Sequence, residues 1–361
     1  MKTIIVYIKS MAAAGGIERV ISNLIGVWEK KYHVILLVKD DEEKSFYDLP
    51  KGIEWISIHE PLVLNMKNRL QRVISVFGNS IRSHRKLKRV LKELSFDYIY
   101  TTTSLNGLEV YLANPRYRRK MVVSEHASAY AVNGVYQRIK KFLYPKVYCV
   151  SVPNKMDCEL YEKWKCNTEY VPHLVSFREP QRNRLDTKIA LNIGRYTNDK
   201  RQIDLIEIWS KIENKNGWVL WIVGSGELQH ELENAIKMHN LEETVRLIPP
   251  TTNIKDVYKQ ASLFLFTSRM EGFGMVLLEA MAFGIPCVSY DCPSGPRDVV
   301  KDHFNGRLID NGNKSQFVSA VQEIISGDEV ELQQYGENAF STVNKWDNDG
   351  IKTKWEKIFS E

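Results

Sequence analysis

Short apolar runs alternate with longer amphipathic stretches along most of the chain. The short runs are rich in Val and Ile, as is typical of strands that are buried on both faces of a parallel sheet. The stretches between them repeat apolar residues at helical spacing. This alternation predicts βαβ units and an α/β fold. The predicted strands are Thr3–Ile8, Val34–Val38, Ile53–Ile58, Tyr98–Thr102, Met121–Ser124, Val147–Val152, Lys188–Ile193, Val219–Val223, Val245–Ile248, Leu263–Thr267, Cys287–Tyr290 and Gly306–Ile309.

The predicted strands form two successive series. Polar, Pro-bearing sequence from about His173 to Asp186 separates them and is predicted to be an interdomain linker. A chain of 361 residues also exceeds what one hydrophobic core usually supports. We therefore expect two Rossmann-like, doubly wound domains that face each other across a cleft, at residues 1–180 and 187–344. An amphipathic C-terminal helix, at about 345–361, is expected to pack back on the first domain.

Composition restricts the class of protein. The hydrophobic content of 43% and charged content of 26% are those of a soluble globular protein. The apolar start of the chain resembles a signal peptide, but Lys9 interrupts it after only six residues. We therefore interpret it as the first buried strand. Five cysteines, an odd number without metal-ligand spacing, indicate a reducing compartment.

Charge is distributed unequally between the two halves. Residues 1–185 contain 31 Lys and Arg against 18 Asp and Glu, whereas residues 186–361 contain 19 against 26. The basic half is expected to face an anionic partner, either nucleic acid or a membrane. Residues 67–92 carry nine Lys or Arg, no acidic residue and apolar residues near helical spacing, which is typical of a membrane-surface helix. A solvated helix packed on the sheet is the alternative, and both can hold. Nucleic acid fits less well because Phe77 is the only aromatic residue there.

The most informative motif runs from Glu271 to Glu279, between a predicted buried strand and an apolar helix from about Met275 to Phe283. Gly272 and Gly274 let the backbone approach a ligand closely, and the helix N-terminus offers free N–H groups to an anion. Eight residues of helix span about 12 Å, which suits a nucleotide-sugar. One carboxylate could hold sugar hydroxyls and the other ribose hydroxyls, with the diphosphate between them. A surface Glu followed by a Glu on a helix face is the alternative.

Other polar and glycine residues follow neighbouring strands of the second series. Arg195 ends one strand, Lys200 is predicted to open the next helix, and Gly224 and Gly226 follow a second strand. The carboxyl ends of parallel strands lie at one edge of a sheet, so we expect these residues to converge with Glu271. The two cations would neutralise a diphosphate. A solvated helix start is the alternative for Lys200.

Two features of the first series lie at strand ends. Gly15 and Gly16 form a turn before a helix that is predicted over Ile17 to Trp28, and such a turn can cradle a phosphate. The turn lacks the G-x-G-x-x-G spacing, so it does not favour a dinucleotide oxidoreductase. His126 follows a strand and could hydrogen-bond a sugar hydroxyl or the leaving phosphate. A purely structural role is the alternative for both.

With these residues assembled, the chain resembles glycosyltransferase family 4, the large group of retaining enzymes with the GT-B fold. The resemblance covers nearly the whole chain. It depends on Gly15–Glu18 and, in the second half, on Thr267–Gly274, Leu278–Ala282 and Gly284–Val288. The segment Asp291–Asp298 resembles the branch that makes bacterial surface polysaccharides.

The resemblance implies a role for each residue in turn. His126 and Glu271 would be the catalytic residues, with His126 near the C6 hydroxyl of the sugar. Phe273 and Gly274 would contact the transferred sugar together with Glu271. The remaining roles are diphosphate binding by Gly16, Arg195, Lys200, Gly274 and Met275, and nucleoside binding by Glu279, Gly224 and Pro250.

The implied reaction is sugar transfer with retention at the anomeric carbon. No Asp or Glu is a clear covalent nucleophile, and Arg195 and Lys200 would stabilise the leaving group, so we expect neither a metal nor another cofactor. The expected donor is a UDP-hexose or UDP-N-acetylhexosamine, and the expected acceptor a polyprenyl-diphosphate-linked saccharide. We expect a cytoplasmic protein, peripheral on the inner face of the cell membrane through about residues 67–92, without a nucleic-acid partner. The alternatives are a nucleotide-sugar 2-epimerase on the same fold and a non-catalytic sugar- or lipid-binding protein.

Overall fold

The computed structural model describes residues 1–40, 44–60, 82–131, 134–176 and 182–360. They form two compact units. The first comprises Met1–Leu174 and Asp349–Glu361, and the second comprises Val175–Asn348. Each unit contains one sheet whose strand pairs are all parallel. The predicted fold class, two α/β units with parallel sheets, is therefore confirmed.

The sheet of the first unit has seven strands. They are β1 (Thr3–Ile8), β2 (His33–Val38), β3 (Glu54–Ser57), β4 (Tyr98–Thr101), β5 (Met121–Ser124), β6 (Cys149–Val152) and β7 (Thr168–Tyr170). Their order in the sheet is β3-β2-β1-β4-β5-β6-β7. In the register, Ile5 of β1 pairs with Ile35 on one side and Ile99 on the other. The chain order reverses between β1 and β4, where open α/β sheets bind ligands at the carboxyl ends of their strands.

The sheet of the second unit repeats this plan with six strands. They are β8 (Ile189–Ile193), β9 (Val219–Val223), β10 (Val245–Ile248), β11 (Leu263–Phe266), β12 (Cys287–Asp291) and β13 (Gly306–Asp310). Their order is β10-β9-β8-β11-β12-β13, so the chain order reverses between β8 and β11. Strand β11 is buried along its whole length, as expected for a strand with helices on both faces of its sheet.

Every predicted strand is present, with ends that differ by at most two residues. Strand β7 was not predicted. It has the sequence Thr-Glu-Tyr, is half-buried, and lies at the sheet edge where it pairs only with β6. A short edge strand needs no continuous apolar run, so the hydrophobic pattern contains no indication of it.

The helices follow the predicted alternation. The described part of α2 covers residues 82–93, whereas residues 67–81 of the predicted basic helix lie outside the described residues. Short 3-10 helices occur at Pro115–Lys120, Ala129–Ala131 and Tyr144–Lys146. The other α-helices are α1 (Gly16–Trp28), α3 (Ser104–Ala113), α4 (Gly134–Leu143), α5 (Lys155–Lys163), α6 (Gln202–Ser210), α7 (Gln229–Met238), α8 (Ile254–Lys259), α9 (Met275–Ala282), α10 (Pro296–Val299), α11 (Lys314–Ser326), α12 (Glu329–Asn344) and α13 (Asn348–Ile358).

The C-terminal helix α13 belongs to the first unit, as predicted. Its Trp355 is 4% exposed and packs edge-on against Trp28 of α1, with ring centroids 5.1 Å apart. Phe359 lies 5.1 Å from Trp28 and 5.2 Å from Tyr98. The Lys2 ammonium donates to the Phe359 carbonyl over 2.9 Å. These contacts make the end of the chain part of the first hydrophobic core.

The boundary between the units, at Leu174 and Val175, lies within the predicted linker, but the segment after it is packed on the second unit. Ser176 donates a hydrogen bond of 2.8 Å to Glu279, and the Asn183 side chain donates to the carbonyls of Tyr258 and Ala261. The described residues of this segment from Val175 onward are therefore attached to the second unit. Within the described residues, none of the helices is both long and apolar enough to span a membrane.

Candidate active site

In the second unit, the loops that follow β8 and β11 are tied together at the point where the strand order reverses. The Thr267 hydroxyl, at the end of β11, lies 3.0 Å from the Lys200 carbonyl and 3.2 Å from that of Arg201. The Arg269 amide donates to the Asp199 carbonyl over 2.8 Å, and its guanidinium pairs with the Asp199 carboxylate at 2.7 Å. These contacts connect neighbouring strands, so the site is built on rigid elements.

An ion pair between Lys200 and Glu271 lies in these joined loops. The two side chains are 25% and 13% exposed. Lys200 lies in the turn before α6, which begins at Gln202, so the prediction that Lys200 opens this helix was wrong by two residues. The Lys200 amide donates to the Thr197 carbonyl, so Lys200 is part of the turn that precedes the helix. The structure thus brings one predicted phosphate-binding residue into contact with one predicted sugar-binding residue.

Arg201 holds this turn in an unusual conformation. It has φ 51° and ψ 40°, in the left-handed region that residues other than glycine seldom adopt. Its guanidinium donates to the Asn311 side chain over 3.0 Å, which ties in the loop after β13. Sequence reasoning missed this residue, because nothing in its neighbours indicates a positive φ.

Arg195, after β8, has an exposed side chain. Within the described part of the chain, no acidic group pairs with its guanidinium. Its carbonyl accepts a hydrogen bond of 3.1 Å from the Gln202 side chain, which fixes the backbone. A cation on an anchored backbone, without an internal counter-ion, is suited to binding an anionic ligand.

The N-terminus of α9 opens between the two predicted carboxylates. Gly274 is the N-cap residue with φ 85°, a conformation that favours glycine. Among the described residues, no backbone carbonyl accepts from the amides of Met275 or Val276. Phe273 is buried against the loop after β12, where a Cβ at Gly295 would lie 2.4 Å from the Phe273 carbonyl oxygen. Free amides and the helix dipole favour an anion here.

Glu279, the fifth residue of α9, is 5% exposed. The Ser176 hydroxyl donates to its Oε1 over 2.8 Å, and the Tyr258 hydroxyl donates to its Oε2 over 3.0 Å. Sequence reasoning missed both partners, because they come from α8 and from the segment before β8. These two hydroxyls help to hold the carboxylate in one orientation.

The glycines after β9 have a packing role that was not predicted. A Cβ at Gly224 would lie 2.0 Å from the Gly194 carbonyl oxygen, and one at Gly226 would lie 2.4 Å from that of Tyr196. The two loops therefore pack backbone against backbone. Pro250 is exposed in the loop after β10, three strands away from β11, or about 14 Å at ordinary strand spacing.

In the first unit, the glycine turn lies at the carboxyl end of β1. Gly15 is the N-cap residue of α1, and a Cβ there would lie 2.0 Å from a carboxylate oxygen of Glu18. Gly16 begins the helix, and a Cβ there would meet nothing within 4 Å. Only the end of the flexible Glu18 side chain crowds Gly15, and the space above Gly16 is open.

His126 follows β5 and is held by its neighbours. Its Nε2 lies 3.2 Å from the Tyr100 hydroxyl, and its ring stacks on that of His173 with centroids 5.4 Å apart. Burial lowers the pKa of His126 to about 4, so the ring is neutral at pH 7. Its Nδ1 is buried without a partner in the described part of the chain. Nδ1 therefore has unused hydrogen-bonding capacity within the described residues.

Glu125, next to His126, belongs to a buried network instead of an open site. It pairs with Lys140 and accepts hydrogen bonds from the hydroxyls of Tyr144, over 2.6 Å, and Tyr161. The network joins the end of β5 to α4 and α5. It orients the backbone that leads into His126.

The described residues contain no group of three or more His, Cys, Asp or Glu side chains that could hold a metal ion. The absence of a metal requirement stays a prediction. All five cysteines are buried thiols, and burial raises the pKa of Cys292, which lies near Glu271 and Lys200.

Two family models match successive parts of the chain. The model described as Glycosyltransferase Family 4 matches residues 14–176, and the one described as Glycosyl transferases group 1 matches residues 176–342. The chain belongs to glycosyltransferase family 4. The match to the Glycosyltransferase Family 4 model includes Gly16 and His126. The match to the Glycosyl transferases group 1 model includes the joined loops and α9.

Curated relatives of this family 4 chain cover its whole length. The amylovoran biosynthesis glycosyltransferase AmsD of Erwinia amylovora is 25% identical over 372 residues, which cover 100% of both chains. An α-1,4-N-acetyl-D-galactosaminyltransferase of Campylobacter jejuni, whose name includes a saccharide on PP-undecaprenol, is 21% identical over 354 residues, 96% of each chain. Both relatives are named as glycosyltransferases.

Among solved structures, TarM of S. aureus in complex with UDP superposes with a TM-score of 0.83 at 15% identity, covering 100% of both chains. This similarity shows that the family 4 chain has the GT-B fold, as predicted. The family and its relatives support glycosyltransferase activity in bacterial polysaccharide biosynthesis.

Proposed function

We propose that this protein is a retaining glycosyltransferase that moves a sugar from a UDP-sugar to a hydroxyl of a polyprenyl-diphosphate-linked saccharide. The UDP bound to TarM supports the choice of nucleotide, and the undecaprenol-linked saccharide in the name of the C. jejuni relative supports the acceptor class. Cytoplasmic location at the inner face of the cell membrane belongs to the same proposal. It follows from the cytoplasmic supply of nucleotide-sugars and from the basic residues 67–92.

The anion site at the strand reversal of the second unit carries this proposal. It combines the guanidinium of Arg195, the ammonium of Lys200 and the amides of Met275 and Val276, and within the described ranges neither the guanidinium nor the two amides have a partner. A nucleoside diphosphate has the matching charge and the several acceptor oxygens that such donors require. Gly16, with open space above its Cα, is assigned to the diphosphate by the same proposal.

The two carboxylates divide the rest of the donor between them. Glu279, a buried carboxylate oriented by the hydroxyls of Ser176 and Tyr258, is assigned to the ribose hydroxyls. Glu271 is paired with Lys200. A bound diphosphate competes for the Lys200 ammonium and leaves Glu271 to accept from sugar hydroxyls. Phe273 and Gly274 support the sugar from the same loop, and Gly224 and Pro250 lie toward the base.

The proposed chemical step transfers the sugar on one face of its anomeric carbon. The acceptor hydroxyl oxygen bonds to the anomeric carbon on the face that the diphosphate leaves, as the bond from that carbon to the β-phosphate oxygen breaks. The hydroxyl proton passes to the leaving diphosphate oxygen. Arg195 and Lys200 stabilise the negative charge that grows on this group.

His126 acts as a neutral hydrogen-bonding group. With the Tyr100 hydroxyl donating to Nε2, the proton of the neutral ring is on Nδ1, which then donates to a sugar hydroxyl or to the leaving oxygen. Because its pKa is about 4, this role does not change between pH 6 and 8.

No metal is required in this proposal, because the two cations and the amides of α9 take the charge that a divalent ion takes elsewhere. Treatment with a chelator is expected to leave the rate unchanged. Loss of activity with EDTA and its return with Mn²⁺ would contradict this part of the proposal.

The test is nucleotide release from a panel of UDP-, GDP- and ADP-sugars, with wild type, Glu271→Gln and Glu207→Gln. Glu207 is the matched control, because its carboxylate pairs with Lys314 on the far side of α6. We expect UDP release from one donor, a loss of at least 100-fold in Glu271→Gln, and no change in the control. Interconversion of a UDP-sugar without acceptor would indicate an epimerase instead. Binding of a donor without any turnover on a supplied lipid-linked acceptor would indicate a binding protein.

A further inference from the structure

Exposed apolar side chains are concentrated on two neighbouring helices of the first unit. Among the described residues, nine large hydrophobic side chains are exposed, and five of them lie between residues 105 and 142. We call this surface the α3–α4 face. Its apolar residues and their exposed fractions are Leu105 (39%), Leu112 (56%), Tyr130 (49%), Val135 (63%) and Phe142 (46%).

Helix α4 is anchored so that its apolar and basic residues face solvent together. Lys140 is 3% exposed and pairs with the buried Glu125, and Leu143 is fully buried in the core. The opposite side of the helix therefore faces outward. Its exposed residues are Val135, Arg138, Lys141 and Phe142.

Helix α3 extends this surface. Leu105 and Leu112 are seven residues apart, so they lie on the same side of the helix. The Tyr111 and Phe142 rings meet edge-on with centroids 5.6 Å apart, and Gly107 lets α3 approach Leu143 closely. The two helices thus form one continuous surface.

The exposed charge on this surface is positive. Residues 104–146 contain eight Lys or Arg and two Glu. Glu109 accepts a hydrogen bond of 2.8 Å from the Tyr7 hydroxyl and forms an ion pair with Lys39, and Glu125 is buried. Within the described ranges, no carboxylate pairs with the following exposed cations: Arg116, Arg118, Arg119, Arg138 and Lys141.

The described part of α2 is different. Arg82 and Lys86 both lie within ion-pair distance of Glu60, and Arg89 pairs with Glu93. Half of the basic residues in this part of the helix therefore have a counter-ion within the protein, and it presents a smaller uncompensated charge than the α3–α4 face.

We propose that the α3–α4 face binds an anionic phospholipid bilayer. Apolar side chains interleaved with unpaired cations match the acyl boundary and the phosphate headgroups of such a surface. This inference deepens the proposed function, on which it rests, since a lipid-linked acceptor is reached from the bilayer. It adds α3, α4 and the 3-10 helix at Pro115–Lys120 to the membrane contact proposed for residues 67–92.

The experiment is co-sedimentation of the full chain with vesicles of phosphatidylcholine alone or with phosphatidylglycerol added. One variant carries Arg116→Gln, Arg138→Gln and Lys141→Gln, and its matched control removes three exposed cations of the second unit. Each cation near an anionic surface contributes about a fivefold increase in affinity, so the first variant is expected to bind roughly 100-fold more weakly. The control substitutions are Lys211→Gln, Lys237→Gln and Arg246→Gln.

A second variant tests the apolar contribution. Leu112→Ser with Phe142→Ser is expected to weaken binding at least tenfold, whereas Met238→Ser with Val330→Ser, which are 76% exposed in the second unit, is expected to have no effect. Thermal unfolding checks that each variant is folded. Added salt is expected to release the wild type from the vesicles.

Three results would overturn the proposal. The first is equal binding of wild type and both face variants, and the second is equal binding to vesicles without anionic lipid. The third is loss of binding only in a variant of α2 that carries Arg85→Gln, Lys88→Gln and Lys92→Gln together, which would assign the membrane contact to α2. A change in oligomeric state without a change in vesicle binding would make the face a contact between copies of the chain. Nucleotide release measured without vesicles is expected to be unchanged in the face variants, so failure of the proposed function would appear there and not in sedimentation.

Discussion

Thr267 offers a direct test of how the joined loops position Lys200. Its side chain is fully buried, and its hydroxyl reaches the Lys200 carbonyl at 3.0 Å and the Arg201 carbonyl at 3.2 Å. The substitution Thr267→Val keeps the shape of the side chain and removes the hydroxyl. The Leu205 amide still donates to the Arg201 carbonyl. The Lys200 carbonyl loses its donor among the described residues.

The expected cost comes from that hydrogen bond. A buried hydrogen bond contributes about 1 kcal/mol net, and an acceptor left without a donor adds about as much again. We therefore expect Thr267→Val to lower the free energy of unfolding by about 2 kcal/mol. Thr267→Ser loses one buried methyl group, at about 1 kcal/mol, but keeps the hydroxyl.

The two variants differ more clearly in donor binding. A loosened turn no longer holds the Lys200 ammonium, so Thr267→Val is expected to raise the KM for the donor about tenfold, comparable to losing one charge-assisted hydrogen bond. Thr267→Ser is expected to leave this KM unchanged. Urea unfolding and nucleotide release with varied donor provide both numbers. Equal KM values for the two variants, at any stability, would refute the positioning role of the hydroxyl.

Other predictions test packing, the C-terminal helix and pH. Gly226→Ala is expected to destabilise the protein by about 2 kcal/mol, because its Cβ would lie 2.4 Å from a backbone oxygen, whereas Gly16→Ala is expected to leave the urea midpoint unchanged and to weaken donor binding. Equal loss of stability in both variants would contradict this. Trp355→Ala is expected to cost about 4 kcal/mol, since the ring is buried against the first unit, and proteolysis of that unit should then accelerate. An unchanged urea midpoint would show that α13 is dispensable. Burial lowers the pKa of His126 from 6.5 to about 4 and that of His173 well below its ordinary value. Between pH 6.5 and pH 4 the unfolded chain therefore binds more protons than the folded chain. The stability contributed by the neutral histidines is fully present above pH 6.5 and falls as the pH decreases toward 4, by up to about 3 kcal/mol for His126 alone. Urea unfolding at neutral pH and at about pH 4.5 measures this, and a His126→Gln variant should show a smaller pH dependence.

Much of the fold could be predicted because burial on both faces of a parallel sheet constrains every position of a strand. Strands β1, β5, β9 and β10 have the predicted limits. Strand β7 was not predicted, because an edge strand can have the sequence Thr-Glu-Tyr, which shows no distinctive hydrophobic pattern. The predicted linker contains the unit boundary, but its pattern did not indicate that hydrogen bonds from Ser176 and Asn183 attach the segment after the boundary to the second unit.

The candidate site was predicted in part for a related reason. Residues that follow parallel strands must lie at one sheet edge, so Arg195, Lys200 and Glu271 could be grouped from chain order alone. Their detailed geometry could not be predicted. The left-handed conformation of Arg201 depends on contacts with residues distant in the chain.

By itself, the sequence determined two α/β units, the order of their strands along the chain, and a set of polar residues at strand ends. These properties follow from local hydrophobic patterning and from the geometry of parallel strands. Only the tertiary structure decided which residues meet. It paired Lys200 with Glu271, gave Glu279 the donors Ser176 and Tyr258, and left Nδ1 of His126 without a partner among the described residues. Such contacts join residues far apart in the chain, and no local pattern specifies them because each depends on how separate elements pack.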